Sequence, residues 1–201
     1  MISECKMSKP SLIFLTGFST SGKSTIGPLL ANTLGFEFLD LDKKIVKVEG
    51  QSINEIFKSK GESYFRDLEY DLLCKEANEE NLVIALGGGT IQQERCLEII
   101  LKEGTLVYLK SDLDTLVRRL SHKTDRPLIK GPNGERLTKE EIRKKIESML
   151  SVREPEYAKA HITINTDKTP LGVTVEHLTR MIERHLKQIE RKKPFSTKHK
   201  S

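Results

Sequence analysis

Residues 17–25 read Gly-Phe-Ser-Thr-Ser-Gly-Lys-Ser-Thr, one residue after the apolar run Leu-Ile-Phe-Leu at 12–15. Two glycines five positions apart, the second followed by Lys-Ser, have the spacing of a phosphate-binding loop, and a strand before with an amphipathic helix after is the context that motif requires. Gly17 and Gly22 let the backbone curl, so that the N–H groups of Ser19, Thr20, Ser21 and their neighbours turn inward onto phosphate oxygens. Lys23 supplies a point charge for β- and γ-phosphates, and the Ser24 hydroxyl can ligate Mg²⁺. Thr25 lies in the first turn of the following helix, whose positive end adds to the cradle. These residues call for a nucleoside triphosphate.

A phosphate cradle does not say which reaction follows, so the other polar groups at strand ends must. Ligands of open α/β sheets sit beyond the carboxyl ends of the strands. Asp40 and Asp42 follow one apolar segment there. Read as extended chain they share a side, Asp40 near the metal through water and Asp42 near an acceptor hydroxyl. The alternative is that either aspartate caps a helix starting near residue 43. Gly87, Gly88 and Gly89 follow another apolar segment, which suits backbone lying flat against a small ligand, or a sharp turn. Arg66, Arg126 and Arg153 each fall at a helix end or in a loop, and such planar donors suit a small anionic substrate.

Strand and helix patterns alternate along the chain, which predicts an α/β fold with a parallel sheet. Strands are expected at 12–16, 36–39, 82–86, 105–109 and 161–164. Helices are expected after the phosphate loop up to Gly35, at 53–58, after Gly61, near 92–102, at 112–120, from a Thr138-x-x-Glu141 capping box to a stop before Pro155, and from Thr169-Pro170 onward. Ser111 is the expected N-cap of the helix at 112–120. The polar stretch 121–137 is too long for a plain connector and reads as a functional lid. The expected organisation is a disordered N-terminus (1–10), one phosphate-loop domain (11–190) and a basic tail (191–201).

Composition excludes several functions. The 201 residues carry a formal net charge of +5, and six cations against one anion within 187–201 account for all of it. The body therefore lacks the basic bias of a nucleic-acid groove. No apolar run approaches the ~20 residues that span a bilayer. Residues 1–10 do not resemble a signal peptide, so the expected location is the cytoplasm. Cys5, Cys74 and Cys96 are odd in number and widely spaced, which fits neither a disulfide framework nor a metal site.

The phosphate loop, Phe-Leu-Asp-Leu-Asp at 38–42, Phe65-Arg66-x-x-Glu69, Gly87-Gly88-Gly89, Arg126-Pro127-Leu128 and Arg153-x-Pro-x-Tyr157 occur in the order and spacing of the shikimate kinases. The chain resembles that family over about 12–186. The resemblance implies a nucleoside-monophosphate-kinase type of P-loop fold, with a five-stranded parallel sheet in the order 2-3-1-4-5. It implies transfer of the ATP γ-phosphate to the 3-hydroxyl of shikimate, with Mg²⁺ as cofactor, ATP and shikimate as partners, and a monomer. By position, Asp42 binds shikimate hydroxyls and is the candidate proton acceptor. Arg66 and Arg153 hold the carboxylate, with Gly87, Gly88 and Gly89 against the ring. Arg126 reaches from the lid to the transferring phosphate, and Arg119 and the 165–170 loop lie near adenine. Leu41 and Val46 depart from the residues common in the family, and the lid side is longer at 131–136. A gluconate kinase or a non-catalytic nucleotide-binding module are the competing readings. The first has little use for two carboxylate-binding arginines, and the second needs neither Asp42 nor Arg126.

Overall fold

The computed structural model describes residues 12–123, 127–131 and 134–192. Five parallel strands form one sheet: β1 Leu12–Thr16, β2 Glu37–Asp40, β3 Leu82–Ala85, β4 Thr105–Lys110 and β5 Ile162–Asn165. Their order is β2-β3-β1-β4-β5, as the family resemblance implies. β1 is central, with Phe14 beside Ile84 of β3 and Leu106 of β4. All five of its residues are buried, as continuous hydrophobicity in a parallel strand requires.

Alternation along the strands divides the core by face. Leu12, Phe14, Ile84, Leu106 and Tyr108 face α2 Leu41–Glu49, α3 Ile53–Glu76 and α4 Glu94–Glu103. Ile13, Leu15, Val83, Val107 and Leu109 face α1 Lys23–Leu34 and α7 Leu171–Lys192. A third cluster joins Phe18 of the phosphate loop to α5 Leu113–Ser121 and α6 Lys139–Tyr157.

The two helices expected around Gly61 are both found within α3, parted at Gly61, whose torsions (φ 84°, ψ 171°) are not helical. Other local expectations shift. α5 takes Asp112 as its N-cap instead of Ser111. The Ser111 hydroxyl turns inward to Thr166 Oγ1 at 2.8 Å. α6 begins at the expected capping box but passes through Pro155 to Tyr157. The proline lies in the final turn, where it removes a single helical hydrogen bond, and the buried Tyr157 ring stacks on Tyr108 with centroids 4.6 Å apart.

The stretch read as a lid is partly built into the body. Pro127–Ile129 form a 3₁₀ turn, Lys130 bridges Arg136 in antiparallel fashion, and the Leu137 N–H donates to the Ile129 carbonyl at 2.9 Å. Ile129 is buried, and Leu128 and Leu137 pack on α5 and α6. Residues 124–126 and 132–133, with the 1–11 and 193–201 ends, lie outside the described residues.

Gly104, which leads α4 into β4, sits against the middle of the sheet. A Cβ there would lie 2.6 Å from Phe14 Cε2 and 2.7 Å from the Leu12 carbonyl oxygen. Gly104→Ala should therefore cost about 1–3 kcal/mol by overpacking, each kcal/mol lowering Tm by roughly 2–4 °C. Gly172→Ala, with nothing within 4 Å of its added methyl on α7, should gain about 0.5–1 kcal/mol. Thermal melts of both variants check this; equal Tm values would mean that the Leu12–Phe14 backbone yields freely.

Candidate active site

The phosphate loop is held open by its neighbours. Gly17 has φ 145°, a torsion that disfavours side chains. An added Cβ there would also meet the Leu109 carbonyl of β4 at 2.6 Å. Thr20 is a β-branched residue at φ 69°, a strained conformation of the kind that collects at binding sites. The Ser21 N–H closes the turn on the Phe18 carbonyl at 3.1 Å, and Gly22 accepts the first helical bonds of α1 from Thr25 and Ile26. Lys23 Nζ lies over the loop, donating to the Gly17 carbonyl at 2.7 Å and the Phe18 carbonyl at 3.3 Å.

This loop forms one wall of a cleft of about 780 Å³, lined also by Asp40, Asp42, Gly88, Arg119, His122, Lys123, Thr166 and Asp167. One end of the cleft is cross-tied. Arg119 donates to the Thr20 carbonyl at 3.2 Å and pairs with Asp167 at 3.2 Å. Thr166 Oγ1 donates to the Ser21 carbonyl at 3.1 Å. Asp167 accepts the Asp112 N–H at 2.6 Å. The 165–170 segment, the start of α5 and the phosphate loop thus form one braced unit.

Ser24 and Asp40 meet beneath the loop, the hydroxyl donating to Oδ2 at 3.2 Å. The other oxygen, Oδ1, accepts the Lys43 N–H at 3.2 Å and caps α2. Asp40 therefore caps and faces the cleft at once; the two readings were not alternatives. The extended geometry expected for Asp40-Leu41-Asp42 is not found: Asp40 ends β2, while Leu41 and Asp42 open α2. Both carboxylates still line the cleft, because Leu41 turns wholly into the core.

The triple glycine makes room for side chains. None of the three has positive φ, so backbone torsion is not the reason for glycine. A Cβ on Gly87 would lie 2.7 Å from Asp42 Oδ1, 2.9 Å from Glu69 Oε1 and 3.0 Å from Thr90 Oγ1. One on Gly89 would lie 3.0 Å from an Arg66 guanidinium nitrogen, and one on Gly88 would meet Arg153 at 3.5 Å. Asp42, Arg66 and Arg153, from three different helices, thus converge on three consecutive glycines. Arg66 and Arg153 do not line the cleft itself; they stand against Gly89 and Gly88, and Gly88 is part of its wall.

Glu69 is the residue that sequence reasoning passed over. It was part of the Phe65-Arg66-x-x-Glu69 motif but had no role. Its side chain is 1% exposed and accepts from Arg66 at 2.8 Å, Thr90 Oγ1 at 2.5 Å and Gln93 Nε2 at 2.7 Å. Partial burial lowers the guanidinium pKa of Arg66, but the Glu69 and Glu62 carboxylates outweigh it and hold it above its ordinary value. The i,i+3 spacing from Arg66 was the available signal. Arg153 leans over the Phe18 ring, 5.7 Å from its centroid. Arg126 lies outside the described residues. Cys96 offers no nucleophile, since burial and then the Glu69 charge push its thiol up to about 12.

A family model described as shikimate kinase matches residues 19–184. A shikimate kinase of Chloroherpeton thalassium is 66% identical over 181 residues, 90% of this chain and 97% of its own length. One from Chlorobaculum tepidum is 56% identical, over 90% of this chain and 95% of its own length. Among solved structures, shikimate kinase from Acinetobacter baumannii in complex with shikimate superposes with a TM-score of 0.78 at 31% identity, covering 88% of this chain and 95% of that one. A gluconokinase from Sinorhizobium meliloti reaches a TM-score of 0.57 at 17% identity, covering 90% of this chain and 96% of that one, a likeness of fold alone.

Removing the shared carboxylate should unsettle all three of its donors. Glu69→Ala is expected to cost about 1.5–3 kcal/mol, the worth of hydrogen bonds to a charged group. Glu69→Gln, which keeps shape but not charge, should cost less. Denaturant unfolding checks both; an Ala variant as stable as the parent would show that Arg66, Thr90 and Gln93 find other partners.

Proposed function

The chain belongs to the shikimate kinase family, and from that premise we propose which of its residues carry out the reaction. The enzyme transfers the γ-phosphate of ATP to the 3-hydroxyl of shikimate, giving ADP and shikimate 3-phosphate on the route to chorismate and the aromatic amino acids. The convergence of Asp42, Arg66 and Arg153 on residues 87–89, beside the phosphate loop, carries the residue-level reading.

In this reading ATP lies along the cleft with its phosphates on the loop of 17–25 and its adenine beside Arg119 and the 165–170 segment. Phosphoryl transfer passes through a loose transition state, so positioning and charge do most of the work. Lys23 turns its ammonium from the loop carbonyls to the β- and γ-oxygens and stabilises charge as the γ-phosphate leaves. Arg66 and Arg153 grip the shikimate carboxylate as planar donors, with Gly87, Gly88 and Gly89 against the ring. That grip presents the 3-hydroxyl to Asp42, which orients it and accepts its proton. Arg126 is assigned to the transferring phosphate from the sequence motif, and the 121–137 stretch to a lid that excludes water.

Ser24 and Asp40 suit Mg²⁺: their oxygens are in contact on the cleft wall, Ser24 to ligate the ion and Asp40 to act through water, with phosphate oxygens and further waters as the other ligands. Among the described residues no cluster of three or more His, Cys, Asp or Glu could hold a metal unaided. Bound there, the ion would neutralise phosphate charge. The same reading makes the enzyme a cytoplasmic monomer with ATP and shikimate as partners, and without a nucleic-acid or membrane surface. No described helix is long and apolar enough to cross a membrane.

ADP release should depend on both Mg²⁺ and shikimate, and should not appear with gluconate or nucleoside monophosphates. Turnover of gluconate in place of shikimate would end the reading.

Steady-state kinetics of two variants separate the residue roles. Arg66 meets a carboxylate that is alike in ground and transition states, so Arg66→Lys should mainly raise KM for shikimate, roughly tenfold to a hundredfold. Asp42→Asn keeps shape but loses the proton acceptor, so it should lower kcat, by roughly a hundredfold or more. An Asp42→Asn enzyme with parental kcat would remove Asp42 from catalysis.

A further inference from the structure

The Gly61 break in α3 lies five residues before Arg66. Helical hydrogen bonding cannot run continuously through φ 84° and ψ 171°, so helix continuity alone does not set the direction of the half of α3 that carries Arg66 and Glu69. An added Cβ at Gly61 would meet nothing within 4 Å. The glycine is there for its torsions, in open surroundings.

One carboxylate from another helix spans the break. Glu49, in the last turn of α2, accepts from Lys60 Nζ through Oε2 at 2.6 Å and from the Tyr64 hydroxyl through Oε1 at 2.7 Å. Lys60 stands just before Gly61 and Tyr64 three residues after it. The triangle closes with Lys60 Nζ donating to the Tyr64 hydroxyl at 3.2 Å and lying 4.4 Å from the ring centroid. The Glu49 side chain is 8% exposed. Its bonds to Lys60 and then Tyr64 hold its carboxyl below the usual range. The Phe57 and Phe65 rings also face each other across the break at 4.8 Å, but apolar contact is non-directional.

We propose that Glu49, Lys60 and Tyr64 form a latch across the Gly61 break that sets the aim of Arg66, making them positioning residues for the substrate carboxylate. The proposal rests on the reading of Arg66 as a carboxylate donor. Ion pairs near the surface contribute little to stability, yet a site displaced by about 1 Å loses function. The latch therefore acts on substrate binding far more than on folding.

The test is steady-state kinetics with thermal melts on Glu49→Gln, Tyr64→Phe, Arg66→Lys and the Tyr64→Phe/Arg66→Lys double variant. Each latch variant should raise KM for shikimate roughly threefold to tenfold, leaving kcat, KM for ATP and Tm near the parent. The double variant should bind shikimate no worse than Arg66→Lys alone, because both changes act through one guanidinium. If Arg66→Lys raises KM while both latch variants match the parent, the latch is refuted and the site reading stands. If Arg66→Lys itself leaves KM unchanged, the site reading fails and the latch with it. Latch variants that lower Tm and shift kcat and both KM values together would show general support of the fold and overturn the positioning role.

Discussion

The buried carboxylate of Glu69 is the constraint around which the acceptor side is arranged. A carboxylate at 1% exposure must be paired and hydrogen-bonded to stay charged. Its three donors come from α3 itself and from the turn that follows β3: Arg66, Thr90 and Gln93. Satisfying it therefore docks α3 onto the end of β3, and in doing so crowds the position above Gly87. Asp42 completes that crowd from α2, and a side chain at 87 would have to displace these groups. The Arg66–Glu69 bond occupies one edge of the guanidinium. One charge thus ties together the Gly87 turn, α3 and an arginine.

The donor side is braced by a different means. β1 runs through the centre of the sheet, buried along its length, and delivers Gly17 against the carbonyl of Leu109. Thr166 and Arg119 then tie the loop to β5 and α5 through the carbonyls of Ser21 and Thr20. These bonds take up loop carbonyls and hold the loop against β5 and α5. A strained Thr20 persists because the neighbours over-determine it.

What the sequence made legible was local or strongly periodic. The phosphate loop, the central strands and the Thr138–Glu141 capping box depend on residues within a few positions of one another, so spacing reveals them. The strand order was implied only by the family resemblance, since alternation of strands and helices fits several sheet orders. The misreadings were cases in which a distant partner overrode a local rule. Ser111 gave up capping α5 for Thr166, 55 residues away. Asp42 was expected on an extended segment, but the burial of Leu41 starts a helix there. Glu69 is similar: its donors Thr90 and Gln93 lie 21 and 24 residues on, beyond any pattern in α3. The three glycines could be recognised as unusual, but their cause, the side chains arriving from α2, α3 and α6, is visible only in three dimensions.

The passage of α6 through Pro155 shows how the two sides are kept in register. A proline there frees a backbone acceptor and would ordinarily let the helix end fray. Strand β4 prevents this. Glu154 accepts from the Tyr108 hydroxyl at 3.0 Å and from Lys110 Nζ at 2.9 Å, and Tyr157 stacks on Tyr108. Burial, and then the bond to Glu154, drives the Tyr108 phenol pKa upward, so it remains a donor across the working pH range. Arg153 is thereby anchored to β4 through Glu154 and Tyr157 on its C-terminal side, and β4 is the strand whose Leu109 carbonyl lies against Gly17. The phosphate loop and the acceptor arginine are thus both positioned from one rigid strand. In a reaction with a loose transition state, where separation and alignment count for more than covalent help, a shared reference of that kind is what the fold can contribute.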